Sequence, residues 1–127
     1  MTITTTGGMA IIMIPDQISN AELADHYDAA ADYLIIHGWT KGELYNNRTG
    51  AVCASGALCA VMTPKLFTLV TEGKPIVIIG SPYAQWMEAA RRAVGSQSIS
   101  HWNDYLAKDM NEVIEMFRSR AKELRDA

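Results

Sequence analysis

The residues best equipped for chemistry in this sequence are Cys53, His101, Asn103 and Asp104. A cysteine at a helix start has its thiol pKa lowered by the helix dipole, a later histidine can serve as base, and an asparagine or aspartate can orient that histidine. Taken together they describe a cysteine-dependent hydrolase or transferase. Two features weigh against it. His101 and Asn103 are separated by one residue, which makes it hard for one side chain to orient the other, and free cysteine is among the most buried residue types. On the plainer reading Cys53 is a small apolar residue in a crowded helix, Trp102 anchors the core, and Asn103 and Asp104 bond loop or helix-end amides. A protein that is not an enzyme is the leading expectation, with the Cys53 and His101 enzyme as the alternative.

A metal site drawn from His37, Cys53, Cys59 and His101 fails on spacing, because the five residues between the cysteines exceed the two to four of zinc knuckles. The glycines are scattered, and Gly7-Gly8 precedes a strand-like run instead of a helix, so there is no phosphate loop. Neither a metal nor a cofactor is expected.

Charge narrows the partners. The formal net charge is −3, which disfavours nucleic acid, whose phosphates call for clustered Lys and Arg. Residues 1–40 hold Asp16, Glu22, Asp25, Asp28 and Asp32 and no Lys or Arg. Asp25, Asp28 and Asp32 recur along one helix. The plain reading of that face is a solvated surface; the functional reading is an acidic docking surface for a basic protein partner. No apolar run approaches the roughly 20 residues that span a bilayer, and no basic residue precedes the apolar start, so neither a membrane segment nor a secretory signal is expected. Two cysteines without export features suit reduced thiols and a cytoplasmic setting.

The elements follow from local signals. Thr and Ile runs on either side of Gly7-Gly8 predict an N-terminal β-hairpin over 1–15, whose uncovered edge would allow homo-oligomerisation. Ser19 and Glu22 form a capping box opening a helix to about His37, with Leu23, Tyr27, Ala30, Ala31 and Leu34 inward and Gly38 as its stop. Residues 39–51 read as a loop or short hairpin. Residues 52–62, uncharged and rich in Ala, predict a helix buried nearly all round, in which Gly56 admits a close neighbouring backbone. Thr63-Pro64 starts a short helix stopped by Gly73, and Ser81-Pro82 starts another that turns Trp86, Met87, Ala90 and Val94 inward. Residues 75–80 are either a buried strand or an extended connector. A final helix opens at Asp109 and Glu112 and buries Val113, Ile114, Phe117, Ala121 and Leu124. The expected class is α+β: one mainly helical domain of four to five helices over 19–127, carrying a small N-terminal hairpin.

Three separated motifs, His37-Gly38-Trp39, Cys53-Ala-Ser-Gly56-Ala-Leu58 and Trp102-Asn103-Asp104, resemble in order and spacing a family of small actinobacterial and actinophage proteins with no established activity. The resemblance marks Gly38, Trp39, Cys53, Gly56, Leu58, Trp102, Asn103 and Asp104. It implies a phage or bacterial origin and an intracellular setting. The functional expectation is a small interaction protein that modulates a host component or pairs with itself.

Overall fold

The computed structural model describes residues 2–6, 8–13, 18–74, 76–79, 91–92 and 94–127. Helix α1 (Asn20–His37) begins where the Ser19 hydroxyl accepts from the Glu22 amide at 3.1 Å. It stops at Gly38, whose φ of 94° lies outside the usual range of residues with a side chain. Its inward stripe is Leu23, Ala24, Tyr27, Ala30, Ala31 and Leu34. Helix α2 (Ala54–Met62) is buried nearly all round, through Ala54, Gly56, Ala57, Leu58, Cys59 and Ala60. Helix α3 (Pro64–Thr71) carries Pro64 in its first turn, where the missing amide hydrogen would have had no partner.

The single turn α4 (Ile99–His101) is capped by Ser98 and runs directly into a π-helical turn, Trp102–Leu106, closed by the Ala107 amide donating to the Trp102 carbonyl at 2.8 Å. Helix α5 (Met110–Asp126) starts where the Asp109 carboxylate accepts from the Glu112 amide at 2.9 Å. It packs along α1, with the rings of Tyr27 and Phe117 stacked at 5.8 Å. Both rings are fully buried, and each such side chain contributes about 1.5–3 kcal/mol by leaving water. Met116 is buried in α5, while Ile114 and Leu124, expected inside, are only partly covered.

Strands β1 (Thr2–Thr6), β2 (Met9–Met13) and β3 (Ile76–Ile79) form one mixed sheet in the order β1-β2-β3, antiparallel in the first pair and parallel in the second. The run at 76–79 is therefore a strand, and its parallel pairing follows from the long crossover through α1, α2 and α3. The expected α+β class with a small N-terminal hairpin is corrected here. The chain is a mainly helical domain: the core formed by the described side chains comes wholly from helices and the loops between them. The N-terminal strands are not a self-standing hairpin, for β2 also pairs with a strand some 60 residues away. Two five-residue strands alone are marginal in water, and the third strand supplies the missing pairing. The inward residues Trp86, Met87 and Ala90 expected of a helix from Pro82 lie outside the described residues; residues 91, 92 and 94 are helical, and Gly95 follows with φ 68°.

The acidic face of α1 meets the basic end of α5. Arg118 bonds Asp28 at 3.1 Å and Asp32 at 2.6 Å, and Arg125 bonds Asp25 at 2.9 Å and Asp28 at 2.5 Å. All three aspartates are thus matched by arginines within the chain, while the side chains of Asp25 and Asp32 stay 77% and 61% exposed. Burial pushes the Asp28 carboxyl up, but hydrogen bonds and charge from Arg125 and Arg118 outweigh it and hold the group below its ordinary value. A depressed folded pKa stabilises the fold above the unfolded carboxylate range, and that contribution is lost as pH falls through the folded value. Between neutral pH and pH ~3 the thermal midpoint of Asp28→Asn should therefore fall less than that of the parent. The difference should be small, since the pairs are partly exposed. Parallel pH profiles for the two proteins would show that the pairs contribute nothing.

Candidate functional site

Asn103 is the centre of the motif residues. It has no exposed surface, and all of its hydrogen-bonding positions face protein groups. Its Oδ1 accepts from Trp39 Nε1 at 2.6 Å and from the Ala54 amide at 3.0 Å. Its Nδ2 donates to the Thr40 carbonyl at 3.0 Å and to Asp104 Oδ1 at 3.0 Å. Asp104 Oδ1 also accepts from the Gly42 amide at 2.8 Å. One side chain therefore ties the π-helical turn to the loop after α1 and to the first turn of α2. Lys41 adds a second tie, donating to the Ala107 carbonyl at 2.8 Å while its ammonium stands 5.1 Å from the centre of the Trp39 ring.

Each remaining motif residue has a structural part. Gly38 ends α1 and accepts the Val52 amide at 3.1 Å. Leu58 and Trp102 are buried in the core. Gly56 lies so near the chain that a Cβ there would sit 2.4 Å from the Leu44 carbonyl oxygen.

Cys53 is the N-cap of α2, a place usually taken by Ser, Thr, Asp or Asn. Its Sγ accepts from the Gly56 amide at 3.4 Å, and only 5% of the residue is exposed. Burial pushes its thiol pKa up, and the Asp104 carboxylate adds to that rise against the pull of the Gly56 and Ser55 amides. The features that would make a thiolate are thus overridden by desolvation. Cys53 and His101 share no hydrogen bond among the described residues; the His101 ring packs on Tyr105 with centroids 5.0 Å apart. Asn103 is committed to Trp39, Ala54, Thr40 and Asp104, so it cannot orient His101. The arrangement expected for a thiol enzyme is not assembled. With Cys59 replaced by alanine, Cys53 should resist alkylation in the native protein and react once denaturant is added; rapid native labelling with a thiol pKa below about 8.5 would contradict this reading.

Among the described residues no group of three or more His, Cys, Asp or Glu is placed to hold a metal ion. His37 stacks on Tyr33 at 4.1 Å. No helix among the described residues is long and apolar enough to cross a membrane.

The surface around the hub carries features that the sequence did not single out. Tyr105 and Leu106 are 76% and 52% exposed at the end of the π-helical turn. Beside that turn lies a cavity of about 230 Å³ lined by Gly42, Glu43, Leu44, Cys53, Ser100 and Asp104. Its walls come from three separated stretches of chain, so no local pattern announces it. Tyr105 could have been noticed as an aromatic residue directly after the Trp-Asn-Asp motif.

Neither a curated protein nor a solved structure matches the chain. A family model does, over residues 19–123, which takes in all three motifs and every residue of the hub. By that match the chain belongs to DUF6197, a family of unknown function.

Proposed function

We propose that this is a non-enzymatic protein-interaction module whose contact surface is the face formed by the π-helical turn. The observation that carries the reading is the contrast within that turn: Trp102 and Asn103 are buried and fixed, while Tyr105 and Leu106 stand exposed on the same five residues. A large aromatic side chain held out on a rigid base loses little freedom when a partner covers it, and tyrosine is enriched among the residues that dominate binding energy. π-helical turns recur at functional sites because the extra residue re-aims the side chains that follow. The low exposure and raised pKa of the Cys53 thiol, with the His101 ring packed on Tyr105, support binding over catalysis.

An intracellular setting and an actinobacterial or phage origin belong to the same proposal. Two buried cysteine thiols support the first, and the motif resemblance alone supports the second. Modulation of a host component is the role that fits both.

A photocrosslinking amino acid in place of Tyr105 tests the surface. Ile36, 75% exposed at the end of α1, serves as the comparison position. A discrete protein adduct in producing cells from position 105, absent from position 36 and lost with Leu106→Asp, is the expected result. Equal labelling from both positions, or none from 105, would remove the turn as the contact surface.

A further inference from the structure

We infer that Lys41 sets the register of the π-helical turn and, through it, the direction in which Tyr105 and Leu106 point; the consequence for binding rests on the contact-surface reading above. Four successive residues of the loop after α1 bond this turn and the residue that closes it. Trp39 Nε1 donates to Asn103 Oδ1 at 2.6 Å, and the Thr40 carbonyl accepts from Asn103 Nδ2 at 3.0 Å. Lys41 Nζ donates to the Ala107 carbonyl at 2.8 Å, and the Gly42 amide donates to Asp104 Oδ1 at 2.8 Å. The loop thus holds residues 103, 104 and 107. Tyr105 and Leu106 lie between these braces, and they are the exposed residues of the turn.

The braces act at different ends. Those from Trp39, Thr40 and Gly42 hold Asn103 and Asp104, near the start of the turn, and leave open how the chain leaves it. An α turn would take the Ala107 amide four residues back, to the Asn103 carbonyl; the π turn takes it five back, to the Trp102 carbonyl at 2.8 Å. The choice is made at Ala107, and Lys41 is the residue of the loop that holds it. Ala107 is extended (φ −68°, ψ 128°) and α5 begins only at Met110, so the Ala107 carbonyl lies between the two helices, where the Lys41 ammonium meets it. An ionised donor makes a bond roughly twice as strong as a neutral one. The Trp39 ring, 5.1 Å from the ammonium, attracts the same charge from a side chain already fixed by Asn103. Since π turns are far rarer than α turns, a contact that keeps the Ala107 end in place decides between them. The wider turn advances each residue by a smaller angle, so reversion to α would rotate Tyr105 and Leu106 about the axis relative to the fixed Asn103.

The test identifies the carbonyl that the Ala107 amide bonds, through the scalar coupling across that hydrogen bond in the full isotope-labelled chain. In the parent the coupling should connect Ala107 to Trp102. Lys41→Met keeps an unbranched side chain and removes the donor. The coupling to Trp102 should then be lost or pass to Asn103, while the Trp39 indole N–H signal stays in place and shows Asn103 still bound. Lys41→Arg, which keeps a charged donor, should retain the parent coupling. An unchanged Trp102 coupling in Lys41→Met would overturn the assignment. So would its loss together with the Trp39 indole signal, which would make Lys41 a general stabiliser of the hub. With the crosslinking residue at position 105, Lys41→Met should lose the adduct and Lys41→Arg should keep it. A changed coupling with the adduct retained would overturn the part of Lys41 in binding and leave its control of the turn. Failure of the contact surface itself would show separately, as no adduct from position 105 with Lys41 in place.

Discussion

Asn103→Leu is expected to destabilise the protein by about 3–5 kcal/mol, a large part of the 5–15 kcal/mol that holds a typical domain together. The substitution conserves approximate size and removes only polarity. It leaves Trp39 Nε1, the Ala54 amide and the Thr40 carbonyl without the partners they have in the native fold, and a buried polar group left unpaired costs about 1–3 kcal/mol. The Asp104 carboxylate loses one of its two donors in addition. Urea denaturation followed through tryptophan emission would measure the loss. A change below about 1 kcal/mol would mean that water replaces Asn103 at little cost and that the hub is not a main stabiliser.

Asn103→Asp separates geometry from charge. The carboxylate keeps an oxygen for Trp39 and Ala54 but presents lone pairs to the Thr40 carbonyl and to Asp104, both of which accept from Nδ2 in the parent. Full burial and the adjacent Asp104 charge must raise the folded pKa of the introduced carboxyl above its unfolded value of about 3.9. The sign follows from linkage. A raised folded pKa gives stability that is fully present below the unfolded pKa and is lost as pH rises through the folded one. This variant should therefore be nearest to the parent in stability at low pH and fall away toward neutrality, where the parent does not. A variant that matched the parent at neutral pH would show that Asn103 Nδ2 donates nothing of consequence.

The sequence made the local features legible and hid the ones that depend on distant partners. Ser19, Glu22 and Gly38 announced α1 because caps act within one helical turn, and Pro64 announced α3 for the same reason. The uncharged composition of α2 announced its burial. The role of Asn103 could not be read locally, because its partners Trp39, Thr40 and Ala54 stand 64, 63 and 49 residues away. The same holds for the aspartates of α1, which read in sequence as a solvated or docking face and bond arginines 86 to 100 residues further on. Periodicity could not decide between strand and connector at 76–79, since the deciding fact is the register with β2. The three motifs were visible as residue types, and what they build was not: a buried amide, a thiol cap and a glycine contact that join three loops.

Gly56→Ala sets helix propensity against that glycine contact, and the contact should win. Within a helix the change gains up to about 1 kcal/mol from the backbone alone. Here the new Cβ would stand 2.4 Å from the Leu44 carbonyl oxygen and 3.1 Å from the Val52 Cβ, and the first distance is shorter than any real contact of that kind. Leu44 cannot withdraw freely, because the same carbonyl accepts the Cys53 amide at 3.2 Å and the neighbouring loop is held by Asp104 through Gly42. Relief therefore requires opening the Cys53 cap or pulling the loop from the hub. A net loss of about 1–3 kcal/mol is expected, as for other overpacked sites. Gly42→Ala gives the contrast: its φ is 78° but no atom lies within 4 Å of the added carbon, so it should cost only the backbone strain of about 1–2 kcal/mol. Amide exchange distinguishes the two mechanisms, because Gly56→Ala should expose the Cys53 amide selectively while Gly42→Ala leaves it protected. If Gly56→Ala instead raised stability, the close passage of Leu44 over α2 would be wrong, and with it the packing around the Cys53 cap.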